Sequence, residues 1–311
     1  MRVATFNLQN LRLRLREDRP VLDGAADQDG TDQPRSVAQA RADRVETARV
    51  IAACNADVVA LQEVFDLAAL EFFHDQFLTE TGAQPYPHRY CIKGNDGRSR
   101  NVAALCRPRP LEVKSHAELT GADLGLTDLP ADLRDHPLFR RDCLELAFDT
   151  VTIFICHFKA PYPDADQTHT VREAEARAVR AIIEARFADP AQERWIILGD
   201  FNEPAHGRHA PVSALAPLKS GFAVDLLDRL KPGADWTYEA PVAHLRSRPD
   251  RIFLSPALAR DYPDTNPRIL RSGMEVVKYP ADDPADPADR GTGTHPRASD
   301  HALVFADFPG L

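Results

Sequence analysis

The sequence predicts an α/β fold built on mixed sheets, and three observations carry that prediction. Short apolar runs alternate along the chain with segments of helical periodicity. No linker separates two stretches of different composition, so residues 1–311 read as one domain, larger than the usual size. "CLELAF" and "VTIFICHF" are joined through Asp149–Thr150, which suits an antiparallel hairpin and so excludes a purely parallel sheet.

In chain order, "MRVATFN" (Met1–Asn7) alternates and is β-rich, so it reads as a strand with a polar end. "LRLRLRE" (Leu11–Glu17) has a period of two and reads as a half-exposed strand or an extended arm. Asp18 to Arg35 is rich in Asp, Gly, Pro and Gln and is expected to be a mobile loop. Ser36 to Cys54 carries Val37, Ala40, Val45, Ala48 and Ile51 at helical spacing. "ADVVALQEV" (Ala56–Val64) is a buried strand, and Leu67–Gly82 an amphipathic helix stopped by its glycine. "RNVAALCR" (Arg100–Arg107) is a strand and Thr170–Phe187 a helix. "WIILGD", "DRIFLS" and "HALVFADF" are further strands, and Pro280–Ala298 is a second loop expected to be mobile and to face the substrate. "VATFN" and "IILGDFN" echo each other as apolar strands ending in Phe-Asn, which suits a duplicated fold.

Composition narrows the function. A net charge of −9 and the lack of a basic, aromatic-interleaved stretch argue against a protein that coats nucleic acid. The balance is compatible with phosphate chemistry when a divalent cation supplies positive charge. The five scattered cysteines suit small core residues in a reducing compartment, with no zinc spacing among them. No apolar run is long enough to span a bilayer and no secretory signal is evident, which predicts a cytoplasmic protein without a membrane anchor.

The chemistry gathers at strand ends. Asn7, Glu63, His157, Asp200 with Asn202, Asp250, and Asp300 with His301 all stand where an apolar run stops or starts. In α/β folds, sites form at such sheet ends. Glu63, the side-chain oxygen of Asn7 and Asp300 are hard oxygen donors that suit Mg²⁺ or Mn²⁺ better than zinc. Asp200 is placed to take a proton from water, and Asn202 to orient the nucleophile or a phosphate oxygen. His157 and His301 suit stabilisation of developing charge, with Asp250 holding His301 protonated. Arg141, Lys159 and Arg172 are candidate phosphate clamps. No nucleophile elbow, phosphate loop or dinucleotide fingerprint competes with this set.

The pattern resembles the endonuclease/exonuclease/phosphatase superfamily, also called deoxyribonuclease-I-like. The matching pieces occur in family order: "TFNLQNL", "DVVALQEV", "NVAALCRP", "RRDCLEL", "CHFKA", "GDFNEP", "RPDRIFLS" and "SDHALV". The resemblance implies a four-layer αββα sandwich, with two mixed sheets face to face and helices outside. It implies Mg²⁺-dependent hydrolysis of a phosphoester, with metal on Glu63, Asp200 as base, and His301 paired with Asp250 and contacting the phosphate. Asn7, Asn202, His157 and Asp300 carry over as metal or phosphate contacts, and Asn101 as a phosphate contact. Three departures stand out. "GRSRNVA" replaces a common "GRGIDVA", so Asn101 stands where an aspartate is usual. "HFKA" replaces "HFKS", and "RPDRIF" replaces "RIDYIL".

These readings lead to a metal-dependent phosphodiesterase, nuclease or phosphatase acting on a small phosphoester, a nucleotide-like molecule or nucleic acid, with no obligatory protein partner evident. The alternative from another class is a non-catalytic binding module that keeps the fold. Retention of Glu63, Asp200 and His301 speaks against it.

Overall fold

The computed structural model describes residues 1–25, 36–204, 212–219, 221–239, 245–274 and 296–311. The chain opens with β1 (Arg2–Leu11), β2 (Leu13–Arg16), β3 (Arg19–Leu22), α1 (Val37–Cys54), β4 (Val58–Val64), α2 (Leu67–Phe73), β5 (His88–Cys91), β6 (Asn101–Cys106) and β7 (Glu112–Ser115). It continues through α3 (Ala131–Arg134), β8 (Cys143–Ala147), β9 (Thr152–His157), α4 (His169–Arg186), β10 (Trp195–Asp200) and β11 (Val224–Asp225). The last elements are β12 (Tyr238–Glu239), β13 (Arg246–Ser247), β14 (Asp250–Leu254), α5 (Pro256–Asp261), β15 (Arg268–Leu270) and β16 (Leu303–Asp307).

Among the described residues twelve strands form two six-stranded sheets, ordered β15-β16-β1-β4-β6-β5 and β11-β14-β10-β9-β8-β7, while β2 pairs with β3 and β12 with β13. Both six-stranded sheets are mixed. In the first, β1 runs parallel to β4 and antiparallel to β16; in the second, β10 runs parallel to β9 and antiparallel to β14. The two strands that echo each other in sequence therefore hold the same position in their sheets. The β8–β9 hairpin is antiparallel, as its sequence predicts.

Side-chain alternation along each strand explains the layering. On β1, Val3 faces the other sheet, while Ala4, Phe6 and Leu8 face α1 and α2. On β10, Ile196 and Leu198 face inward, whereas Trp195 and Ile197 pack under Ala178, Val179 and Ile183 of α4. Three apolar cores thus separate four layers, as expected of an αββα sandwich. Each fully buried Ile or Leu in them contributes about 1.5–3 kcal/mol. Helix starts follow local chemistry: Ser36 caps α1, Asp66 caps α2, and Ser255 caps α5 ahead of a proline.

The structure differs from expectation in places. β1 continues past Asn7 to Leu11, through left-handed backbone at Gln9 and Asn10. "LRLRLRE" forms the β2 edge of a hairpin with β3, so part of the expected 18–35 loop is strand. Arg12, Arg14 and Arg16 all converge on buried Asp23. The rest of that loop from residue 26, and nearly all of Pro280–Ala298, lie outside the described residues. The Leu67–Gly82 segment is α-helical only to Phe73 and then changes pitch, ending at left-handed Gly82. Four cysteines are buried, Cys91 is half-buried, and all are free. No helix among the described residues is long and apolar enough to cross a membrane.

Candidate active site

Alternation also aims the polar strand ends. The inward-facing positions of β10 run Ile196, Leu198, Asp200, and those of β9 run Ile153, Ile155, His157. Those of β14 run Leu254, Ile252, Asp250, and those of β1 end in Asn7. At one end of the sandwich, the face that is apolar elsewhere becomes acidic and amidic. The two sheets meet there: the Asn7 Nδ2 donates to Asp200 Oδ2 at 3.0 Å.

Asp200 lies opposite His157 on one side and Asp250 on the other. His157 Nε2 is 3.6 Å and His301 Nε2 3.9 Å from Asp200 Oδ2. The His301 Nδ1 pairs with Asp250 Oδ2 at 2.8 Å, and Thr237 Oγ1 donates to the same oxygen at 2.6 Å. Asp250 Oδ1 has no hydrogen-bond partner among the described residues. Ligand atoms of Asp200, Asp250 and His301 all lie within 4.8 Å of one another.

The electrostatics divide these groups. Burial pushes Asp200 up to about 6, against the pull of His301 and with Asp250 adding to the rise. Burial works against a proton on His301, yet Asp250 and Asp200 outweigh it and hold the ring well above its ordinary 6.5. His157 moves the other way: burial, reinforced by Arg141, His301 and Arg100, drives it well below 6.5, so it is neutral. One imidazole is a cation and the other is not.

Asn202 stands just past the strand in left-handed conformation. Its backbone N–H donates to Asp200 Oδ1 at 2.9 Å, and its side chain to Phe158 O at 3.0 Å. Glu63 sits where the β4–β6 register shifts, with φ of 61°, and this bulge takes it out of simple alternation. Its Oε2 accepts the Asn10 N–H at 3.1 Å. Asp300 is tied to the same turn, its N–H donating to Gln9 Oε1 at 3.0 Å, while the Gln9 N–H donates to Asn7 Oδ1 at 2.9 Å. The Gln9–Asn10 turn therefore links Asn7, Glu63 and Asp300.

The three phosphate-clamp candidates and Asn101 have local partners. Arg141 donates to Phe158 O at 2.9 Å and sits 3.3 Å from Asp96, close enough for its charge to act on His157. Lys159 Nζ donates to the carbonyls of Ala160 and Tyr162. Asn101 is buried between Gly94 N and Phe65 O. Arg172, at 1% exposure, is held by Thr168 and Ala165. It lines a cavity of about 660 Å³ with Glu203, Trp236 and Arg251; Asn7, Glu63, Asp200, Asp250 and His301 do not line that cavity.

Several contributors escape sequence reasoning. Arg44, fully buried on α1, donates to the carbonyls of Leu8, Gln9, Asn10 and Asp23, and so fixes the turn that links Asn7, Glu63 and Asp300. Glu175, fully buried on α4, accepts from the backbone N–H groups of Arg140 and Lys159 at the ends of β8 and β9. Thr237 and Tyr238 flank His301, with the Tyr238 ring 5.0 Å from the imidazole. For Arg44 and Glu175 the available sequence signal is a charged residue among the apolar positions of a helix.

The two sheets thus bring acids, amides and two histidines together at one end of an αββα sandwich. The chain belongs to the endonuclease/exonuclease/phosphatase family, whose model matches residues 4–301. A search of curated proteins by sequence finds no match. Among solved structures, the chain is similar to an endonuclease/exonuclease/phosphatase family protein from Leptotrichia buccalis, at 14% identity and a TM-score of 0.56, covering 99% of this chain and 98% of the other. It is similar to a 3'-5' exonuclease from Neisseria meningitidis at 16% identity and a TM-score of 0.56, covering 99% of each chain. It is also similar to a mannosyl-6-phosphatase from Bacteroides thetaiotaomicron at 15% identity and a TM-score of 0.53, covering 99% and 98%. At these identities the likeness concerns the fold.

Proposed function

We propose that the protein is a divalent-metal-dependent phosphoester hydrolase in which Asp200 activates water for in-line attack on phosphorus. The observation that carries this reading is the set of unlike partners around Asp200: a protonated His301 backed by Asp250, a neutral His157, and the Asn7 amide reaching across from the other sheet. Asp200 at about 6 is basic enough to accept a proton near neutral pH yet ionised there. His301 places positive charge beside the oxygens that gain charge in the transition state. Asn202 holds the Asp200 carboxylate in one orientation through its N–H.

His301, whose charge is favoured by Asp250 and Asp200, is proposed to act as a cation rather than as a metal ligand. The donors left are oxygens: Glu63, Asn7 and Asp300, joined through the Gln9–Asn10 turn. An oxygen set of this kind suits Mg²⁺ or Mn²⁺. When bound there, the ion would supply Lewis-acid charge to a phosphate oxygen. Arg141, Lys159, Asn101 and Arg172 are proposed to act at the phosphate directly or by shaping the strand ends around it.

The solved neighbours include an exonuclease and a sugar phosphatase, so the fold serves both diesters and monoesters. The net charge of −9 favours a small phosphoester over long nucleic acid. The test is hydrolysis of bis-p-nitrophenyl phosphate and p-nitrophenyl phosphate with Mg²⁺ or Mn²⁺. Turnover is expected to vanish with EDTA and to fall at least about 10²-fold in Asp200→Ala. Metal-independent turnover, or an active Asp200→Ala, would refute the assignment.

A further inference from the structure

The buried face of α1 changes character along its length. Toward its C-terminal end it is apolar, with Ala48, Ile51 and Cys54, whereas Asp43, Arg44 and Thr47 before them are polar and fully buried. Buried polar groups are costly unless hydrogen-bonded, and these three bond the backbone of two segments that carry site residues. Arg44 Nη1 donates to Leu8 O at 2.7 Å, and Nη2 donates to Gln9 O at 2.9 Å and to Asn10 O at 3.0 Å. Asp43 Oδ1 accepts the Arg297 N–H at 3.0 Å, and Thr47 Oγ1 donates to Ala298 O at 2.8 Å. Ser299 Oγ joins the two segments by donating to Asn7 O at 2.7 Å.

The peptide unit converts this grip into side-chain orientation. In a planar trans peptide the C=O and the N–H that follows it point in opposite directions. Holding Leu8 O toward the guanidinium turns the Gln9 N–H the other way, onto Asn7 Oδ1 at 2.9 Å. Holding Gln9 O does the same for the Asn10 N–H, which donates to Glu63 Oε2 at 3.1 Å. With Oδ1 engaged in this way, the Asn7 amide presents Nδ2 to Asp200. Gln9 and Asn10 are both left-handed, at φ of 48° and 60°. Such a conformation away from glycine persists where the surroundings hold it. A guanidinium, with charge-assisted bonds in a rigid fork, is suited to hold three carbonyls at once.

We infer that the Asp43–Arg44–Thr47 face of α1 is a positioning device that sets the spacing of Asn7 and Glu63 against Asp300, and thereby the affinity of the site for a divalent cation. This rests on the hydrolase reading above and deepens it. Arg44 acts through the peptides of Leu8 to Asn10, and Asp43 and Thr47 act through the segment that leads to Asp300.

The test measures Mn²⁺ binding to the metal-free full chain by calorimetry, which needs no turnover, in wild type, Arg44→Lys, Thr47→Val and Ile51→Val. A lysine keeps the charge but not the fork, and Arg44→Lys is expected to weaken Mn²⁺ binding about tenfold or more. The Mn²⁺ concentration that half-activates ester hydrolysis should rise by the same factor, with kcat at saturating Mn²⁺ within about threefold of wild type. Thr47→Val loses only its hydroxyl bonds and is expected to weaken binding about threefold. Ile51→Val, a core change on the same helix, is expected to lower Tm and leave Mn²⁺ affinity at the wild-type value, which separates positioning from loss of stability. Wild-type affinity in Arg44→Lys, or in Thr47→Val if the lysine variant does not fold, would overturn the inference, as would an equal loss in Ile51→Val. Arg44-dependent Mn²⁺ binding in a protein that hydrolyses no phosphoester would end the hydrolase reading and leave this inference standing. Metal-dependent hydrolysis with unchanged affinity in the variants would do the reverse.

Discussion

Gly199 is one residue before Asp200 and pairs with Cys156, one residue before His157, across the parallel β9–β10 ladder. A Cβ at Gly199 would lie 1.9 Å from the Cys156 carbonyl oxygen, at a φ of +148° that L side chains rarely adopt. Contacts under 3.0 Å are essentially never seen for real Cβ atoms, so Gly199→Ala must part the two strands by more than about 1 Å. The backbone strain costs about 1–3 kcal/mol, and the overpacking a similar amount. A total of about 2–6 kcal/mol corresponds to a fall in Tm of about 3–9 °C for a chain of this length. The parting also falls between His157 and Asp200, and a 1 Å misplacement of reacting groups costs about 10²-fold in kcat. The matched control is Gly82→Ala, also at positive φ but with nothing within 4 Å of the added Cβ. It is expected to cost about 1–2 kcal/mol and no activity. Thermal melts and phosphodiester kinetics at 25 °C read both effects. A Gly199→Ala protein that melts with wild type and keeps its kcat within about threefold would refute the reasoning.

Two further outcomes follow from buried acids. Glu175 has its pKa pushed up to about 6 by burial from an ordinary 4.5, so the folded state holds that proton more tightly than the unfolded chain. The cost of ionising it is absent below 4.5 and complete above 6, so wild type should lose about 2 kcal/mol relative to Glu175→Gln between pH 4.5 and 7, read from urea melts at both pH values; parallel pH dependence in the two proteins would count against it. Asp250→Asn removes the charge that holds His301 protonated and is expected to lower kcat about 10²–10⁴-fold with the fold retained by circular dichroism; a loss below about threefold would contradict the role given to the pair.

The sequence was informative wherever chemistry is local. Short apolar runs marked β1, β9, β10 and β14 within a few residues, and helical spacing after Ser36 marked α1. The strand-terminal residues Asn7, His157, Asp200 and Asp250 were legible because each breaks an apolar pattern at its end. Even their direction was implicit, since they share parity with the inward Val3, Ile155, Leu198 and Ile252. The pitch change after Phe73 was not legible, because a helical hydrophobic pattern tolerates it. Nor was the β2–β3 hairpin, whose Arg19–Leu22 strand lies in a stretch of loop-like composition.

By itself, then, the sequence determined the fold class, the polar strand ends and the family pattern, because these depend on spacing along one chain. The tertiary structure decided which ends meet. Asn7 and Asp200 are 193 residues apart, yet one donates to the other at 3.0 Å because two sheets share a single apolar core. It also decided charge: His157 and His301 are the same residue type, and only their neighbours make one neutral and the other cationic. The supports supplied by Arg44 and Glu175, and the placing of Arg100 beside Glu63, arise from packing between distant segments. Pairwise geometry of that kind has no local signature.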